Sequence, residues 1–124
     1  MFKYFNSNPE NQLVDDCVIR AISLLQDIPW ENAYLKVCSQ GYRMFDMPSS
    51  NRVWGEYLKH QGYRRYALPD TCPYCYTIRE FCEDYPVGRF LVATGTHVCT
   101  VIDGDYYDTW DSGDETPVYY WRKE

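Results

Sequence analysis

Two residues of this chain have side chains suited to covalent chemistry with amides, Cys17 and His97. A cysteine attacks as the thiolate, and an imidazole beside it both stabilises the anion and carries the proton. Cys17 follows the loop ENQLVDD and falls in the first turn of an expected helix. A helix N-terminus lowers a thiol pKa from its ordinary value of about 8.5. Asp15 and Asp16 oppose that effect if they point at the sulfur, so they are expected to face solvent or cap the helix. His97 opens an expected strand in TGTHVCTVIDG. The other histidine, His60, sits in the last turn before Gly62, where a cation simply suits a helix C-terminus.

A third member comes from the hairpin that the Asp103-Gly104 turn implies. In a two-residue register Ile102 pairs with Asp105, Val101 with Tyr106 and His97 with Trp110. Asp108 then shares the face of His97 one diagonal step away, within reach of a ring nitrogen. Asp111 falls on the other face, and a one-residue bulge exchanges the two. Asp108 is therefore the expected partner of His97, with Asp111 in reserve. Such an acceptor fixes the tautomer and steadies the imidazolium.

The elements that must position these groups are legible from periodicity. Val18, Ala21, Ile22 and Leu25 recur at helical spacing and predict a helix over about 16–26. Pro29 opens a second helix that Gly41 closes, and a third begins at Ser49-Ser50 and stops at Gly62. Residues 63–68 predict a strand and 76–84 a fourth helix ended by Pro86. Residues 88–94, 97–102, 105–110 and 116–121 predict strands. Helices followed by an antiparallel sheet give an α+β fold, and no repeat or linker divides residues 1–124 into more than one domain.

Composition narrows the function classes. The 124 residues carry a net charge of −6, which argues against a nucleic-acid partner, since phosphate binding needs clustered Lys and Arg. Arg64-Arg65, with Lys59 and His60 upstream, is too small a basic patch to reverse that sign. The opening MFKYFNSNPE has no long apolar stretch, and no window approaches the ~18 apolar residues of a membrane span. A cytoplasmic protein without a membrane partner is the expectation, and its six Cys are then expected as thiols. Thirteen Tyr, five Phe and four Trp either fill a small core or line an interaction surface.

The order of a Cys at a helix start, a His on a strand and an Asp on the next strand resembles that of papain-like cysteine peptidases. HVCTVIDG is similar to their histidine strand, and Asp108-Thr109-Trp110 resembles their Asn-Ser-Trp motif, whose Trp shields the triad. The chain also resembles a group of small proteins of gut bacteria and their phages, few of them characterised, with a DC-x-x-RA start and a YDTWDS end. The resemblance implies a papain-like fold, a Cys-bearing N-terminal helix against a small antiparallel sheet bearing His and Asp. It implies Cys17 as nucleophile, His97 as base and acid, and Asp108 as the orienting residue. Papain-like enzymes take an oxyanion hydrogen bond from a Gln upstream of the cysteine, for which Gln12 or Asn11 are the candidates. The expected activity is hydrolysis of a peptide or isopeptide bond in a protein or peptide substrate, through a thioester and without a cofactor. Transamidation would use the same groups.

Other motifs offer competing readings. Cys72-Pro73-Tyr74-Cys75 has the spacing of a glutaredoxin, but it follows LPDT deep in the chain rather than an early strand of a βαβ unit. A turn whose thiols cap or pack is the expectation. A zinc site would need Cys72, Cys75, Cys82 and a fourth ligand such as Cys99. The acids Asp103, Asp105, Asp108, Asp111 and Asp114 read mostly as turn and solvent residues. Met44 to Pro48 reads as a groove edge or a plain connector. The alternative to an enzyme is a non-catalytic binding module of bacterial or phage origin, presenting an aromatic-rich surface to a protein partner.

Overall fold

A computed structural model describes all of residues 1–124. The elements run β1 (Phe2–Tyr4), α1 (Cys17–Gln26), α2 (Trp30–Met44), α3 (Asn51–His60), β2 (Tyr63–Ala67), α4 (Ile78–Asp84), β3 (Arg89–Ala93), β4 (Val98–Ile102), β5 (Asp105–Asp108) and β6 (Tyr119–Lys123). The six strands form one sheet in the order β1-β5-β4-β3-β6-β2. The fold class is α+β. The sheet is mixed rather than antiparallel, because β1 pairs in parallel with β5, Phe2 opposite Tyr106 and Tyr4 opposite Asp108. Three residues have no periodicity to read, and their partner strand lies about a hundred positions away. No helix is long and apolar enough to cross a membrane.

Alternation along the strands splits the core in two. Leu91, Ala93, Val98 and Trp121 turn to one face, where Ile19, Ile22 and Leu25 of α1, Val37 of α2 and Val53, Trp54 and Leu58 of α3 cover them. Phe90, Val92, Cys99, Val101, Tyr106 and Tyr120 turn to the other, under Ile78, Phe81 and Cys82 of α4. The Asp103-Gly104 turn has positive φ at both residues, 49° and 82°, the twist that a two-residue hairpin demands. It sets Val101 opposite Tyr106 and Ile102 opposite Asp105, as the sequence predicts.

Gly41 lies inside α2 rather than closing it. A Cβ there would come within 2.7 Å of the Asp46 carbonyl, so the glycine serves a close approach of the following loop. That loop leads to the cleft described below, which Pro48 and Ser49 line.

Thr100 of β4 donates a buried 2.6 Å hydrogen bond to the Ala21 carbonyl, tying the helix that Cys17 opens to the strand that His97 precedes. Thr100→Val is expected to cost about 1 kcal/mol, the net worth of one such bond. A urea titration should show a lower midpoint with an unchanged slope.

Candidate active site

Cys17 is the first residue of α1. Asp16 precedes it, but its carboxylate makes no cap hydrogen bond. It turns inward instead, buried, to the Arg20 guanidinium and to the Trp30 indole N–H at 2.9 Å. Neither expectation for this acid, solvent or cap, holds. Asp15 is exposed and lines the cleft. With the cap unfilled, the backbone N–H groups of Cys17, Val18 and Ile19 have no acceptor within the protein. They point their donors out of the helix start.

His97 lies one residue before β4, whereas the sequence predicts it as the first residue of that strand, and its carbonyl accepts the Thr94 N–H at 2.9 Å. Its Nε2 is 2.6 Å from Oδ2 of Asp108, the last residue of β5. That leaves Nδ1 as the ring nitrogen for the Cys17 thiol. Asp108 is 2 % exposed and fully engaged. Ser112 donates to Oδ2 at 2.7 Å, the Thr109 N–H donates to Oδ1 at 2.8 Å, and Arg20 lies 3.4 Å from Oδ1. Asp111 is exposed and holds Tyr106, Arg79 and the Gly113 N–H, with no bond to His97. The hairpin register thus places Asp108, not Asp111, on the imidazole. The Trp110 ring lies 4.9 Å from that of His97.

The charges alternate in order: Asp16, Arg20, Asp108, His97, Cys17. Each has its opposite beside it, which is how buried ions persist. Burial raises the Cys17 thiol, yet the His97 imidazole, the Val98 N–H and the charges of His97 and Arg20 bring it below its ordinary value. Burial likewise works against the imidazolium. Hydrogen bonds to Asp108 and Cys17, with the charges of both, nevertheless push His97 up to about 9. Both shifts move the pair toward thiolate beside imidazolium, the form in which a cysteine attacks.

These groups lie at a cleft of about 880 Å³. Leu13, Trp30, Tyr34, Asn51 and Trp110 form much of its wall. Gln12 and Asn11 do not line it. Both are exposed, Gln12 passing its carbonyl to the Asn6 amide and Asn11 taking a left-handed φ of 55°. The expectation of an amide donor from either is therefore corrected, because the loop turns both away before α1 begins. Cys17, Val18 and Ile19, whose N–H groups are free, line the cleft and are candidate donors there.

Arg20 is the site residue that sequence reasoning missed. Its signal was a charged residue amid the apolar run of α1, four positions after Asp16, the spacing of a helical ion pair. Ser112 had no comparable signal.

The remaining cysteines divide. Cys82 and Cys99 are buried in the α4 core, where burial raises both thiols, Cys82 to about 11. Cys72 and Cys75 are exposed on the loop before α4. The four do not come together, and no group of three or more His, Cys, Asp or Glu side chains is arranged to hold a metal ion. The structure does not bring together the ligand set that the zinc reading needs. The thiols of the Cys72–Cys75 turn also fail to pack or cap, contrary to expectation. Comparison of the chain with protein-family models, curated proteins and solved structures gives no match.

Proposed function

We propose that this chain is a papain-like cysteine hydrolase that cleaves a peptide or isopeptide bond through a thioester on Cys17. The observation that carries the reading is that Cys17 and His97 line one cleft, with Nε2 of His97 2.6 Å from Asp108. The Cys17 thiol gives its proton to His97, and the sulfur attacks the carbonyl carbon. The N–H of Cys17 at the open helix start stabilises the oxyanion. His97 then protonates the leaving amine as the C–N bond breaks, leaving the thioester. Water, deprotonated by His97, hydrolyses it and restores the thiol. An amine in place of water would give transamidation. Packing of Trp110 on His97 limits the solvent around the ion pair, which strengthens it.

Alkylation tests the nucleophile without knowledge of the substrate. Iodoacetamide at neutral pH is expected to label Cys17 at least about tenfold faster than Cys72 or Cys75 despite their greater exposure, because thiolate fraction sets the rate. His97→Ala should remove that advantage and move the labelling profile to higher pH. Equal labelling of the exposed thiols and Cys17 sinks the proposal. Turnover is read by counting new amino termini in a denatured protein mixture, which Cys17→Ala must abolish.

Leu13 is 74 % and Trp110 46 % exposed beside the cleft, which favours as a second reading a protein-binding module using the same surface. Binding that survives Cys17→Ala without any turnover by the intact chain would select that reading.

A further inference from the structure

The loop between β2 and α4 carries a pair of thiols that the proposed hydrolysis does not use. Cys72 and Cys75 are both exposed, and their sulfurs lie 3.3 Å apart. Three bonds fix the turn: Cys72 N–H to Asp70 Oδ1 at 3.0 Å, Tyr74 N–H to the Thr71 carbonyl at 2.9 Å, and Tyr76 N–H to Thr71 Oγ1 at 2.9 Å. A disulfide needs about 2.05 Å between sulfurs, so closure asks for little more than an ångström of movement in an exposed turn. No other two cysteines of the chain have their sulfurs in hydrogen-bond contact. Cys17 and Cys38 line the cleft, and Cys82 and Cys99 are enclosed by the α4 core.

We propose that the Cys72–Cys75 turn is a thiol–disulfide exchange site, oxidised by a small disulfide to an intramolecular bridge, with Cys75 as the attacking and Cys72 as the resolving sulfur. The direction follows from Asp70, whose carboxylate lies against the Cys72 end of the turn. The hydrogen bond with Cys75, followed by the bond to Asp70 and its charge, pushes the Cys72 thiol up to about 11. Cys72 therefore keeps its proton at neutral pH and waits. The Cys75 thiolate attacks one sulfur of the disulfide R–S–S–R and expels the first thiolate, leaving a mixed disulfide on Cys75. Cys72 loses its proton to the expelled thiolate and attacks Cys75 sulfur, expelling the second. Two protein thiols are oxidised, and one small disulfide is reduced to two thiols. This order is the reverse of one in which the first cysteine of the motif attacks. Asp70 decides it.

The test treats the full chain with glutathione disulfide near neutral pH, quenches in acid, and maps intact mass and peptides over time. The native protein is expected to lose two hydrogens in the peptide that holds Cys72 and Cys75. That loss should run at least about tenfold faster than any adduct on Cys38, Cys82 or Cys99. Cys72→Ser should stop at one glutathione on Cys75. Cys75→Ser should take up glutathione on Cys72 at least about tenfold more slowly, and Asp70→Asn should narrow that gap. Both cysteines are exposed, so these variants keep the fold. Oxidation that maps to another pair, or a Cys75→Ser protein as reactive as Cys72→Ser, overturns the proposal. An adduct on Cys17 maps to a separate peptide, so the peptide readout is independent of the hydrolase reading.

Discussion

Asp108→Asn is expected to cut the rate of acyl-enzyme formation by about 10²–10⁴-fold while leaving the Cys17 thiol in place. An amide is isosteric with the carboxylate, so its oxygen can still accept the Thr109 N–H, while the Ser112 hydroxyl, a donor to the carboxylate, must turn to accept from the NH₂. His97 loses its anion. Its pKa, raised to about 9 chiefly against the cost of burial by Asp108, should fall toward the ordinary histidine range. The asparagine can also present its NH₂ to Nε2 and so favour the wrong tautomer. A nitrogen-detected titration of His97 reads the shift directly. The sign of the stability change is fixed by the direction of the native shift. A histidine raised on folding contributes stability in full below its unfolded value of about 6.5, and that contribution fades as pH rises through about 9. The variant should therefore lose stability mainly below about pH 9, most of it at mildly acid pH. Activity of the unmodified chain should rise with thiolate formation at Cys17 and fall above about pH 9, where His97 gives up the proton that the leaving amine needs. An unshifted His97 titration in the variant would show that Asp108 does not govern the imidazole.

Arg20→Met is expected to destabilise the fold by about 3–5 kcal/mol, the cost of removing one partner from a buried ion network. Methionine keeps the apolar length of the side chain, so the loss is one of charge rather than volume. Asp16 and Asp108 are then left as neighbouring buried carboxylates with no cation between them. Trp30 and Ser112 give each a hydrogen bond, and His97 alone neutralises Asp108. A urea titration at neutral pH measures the deficit as a lowered midpoint. Arg20 also lowers the Cys17 thiol from across the site. The folded fraction of the variant should accordingly alkylate at Cys17 with a profile moved to higher pH. The double variant Asp16→Leu with Arg20→Met restores charge balance and is expected to recover part of the stability, as a double-mutant cycle would report. A fall of less than 1 kcal/mol for Arg20→Met alone would mean that the network is solvated rather than buried.

The local signals proved dependable where one element or one turn decides the outcome. The 3.6-residue spacing of Val18, Ala21, Ile22 and Leu25 marks α1 to within a residue of its true start, because amphipathic burial is a property of the helix alone. Asp103-Gly104 sets the β4–β5 register, because only a turn with two positive φ values matches the strand twist. From those two elements the sequence put Cys17 at a helix start and Asp108 rather than Asp111 on the face of His97. The resemblance to papain-like peptidases offered Gln12 or Asn11 as an amide donor at the cleft, where the loop carries neither. A loop's path depends on hydrogen bonds such as those Asn8 Oδ1 accepts from Glu10 and Gln12, and no periodicity records them.

By itself, then, the sequence determined that a cysteine lies at a helix start and a histidine and an acid at a hairpin of an α+β chain. Tertiary structure decided what surrounds them. It laid β1 in parallel beside β5, turned Asp16 inward, and brought Arg20 to Asp108 across 88 positions of sequence. The physical reason is that a helix or a two-residue turn is fixed by neighbours in the chain. The partner of a buried charge is fixed by whatever packing brings within a few ångströms when water is removed.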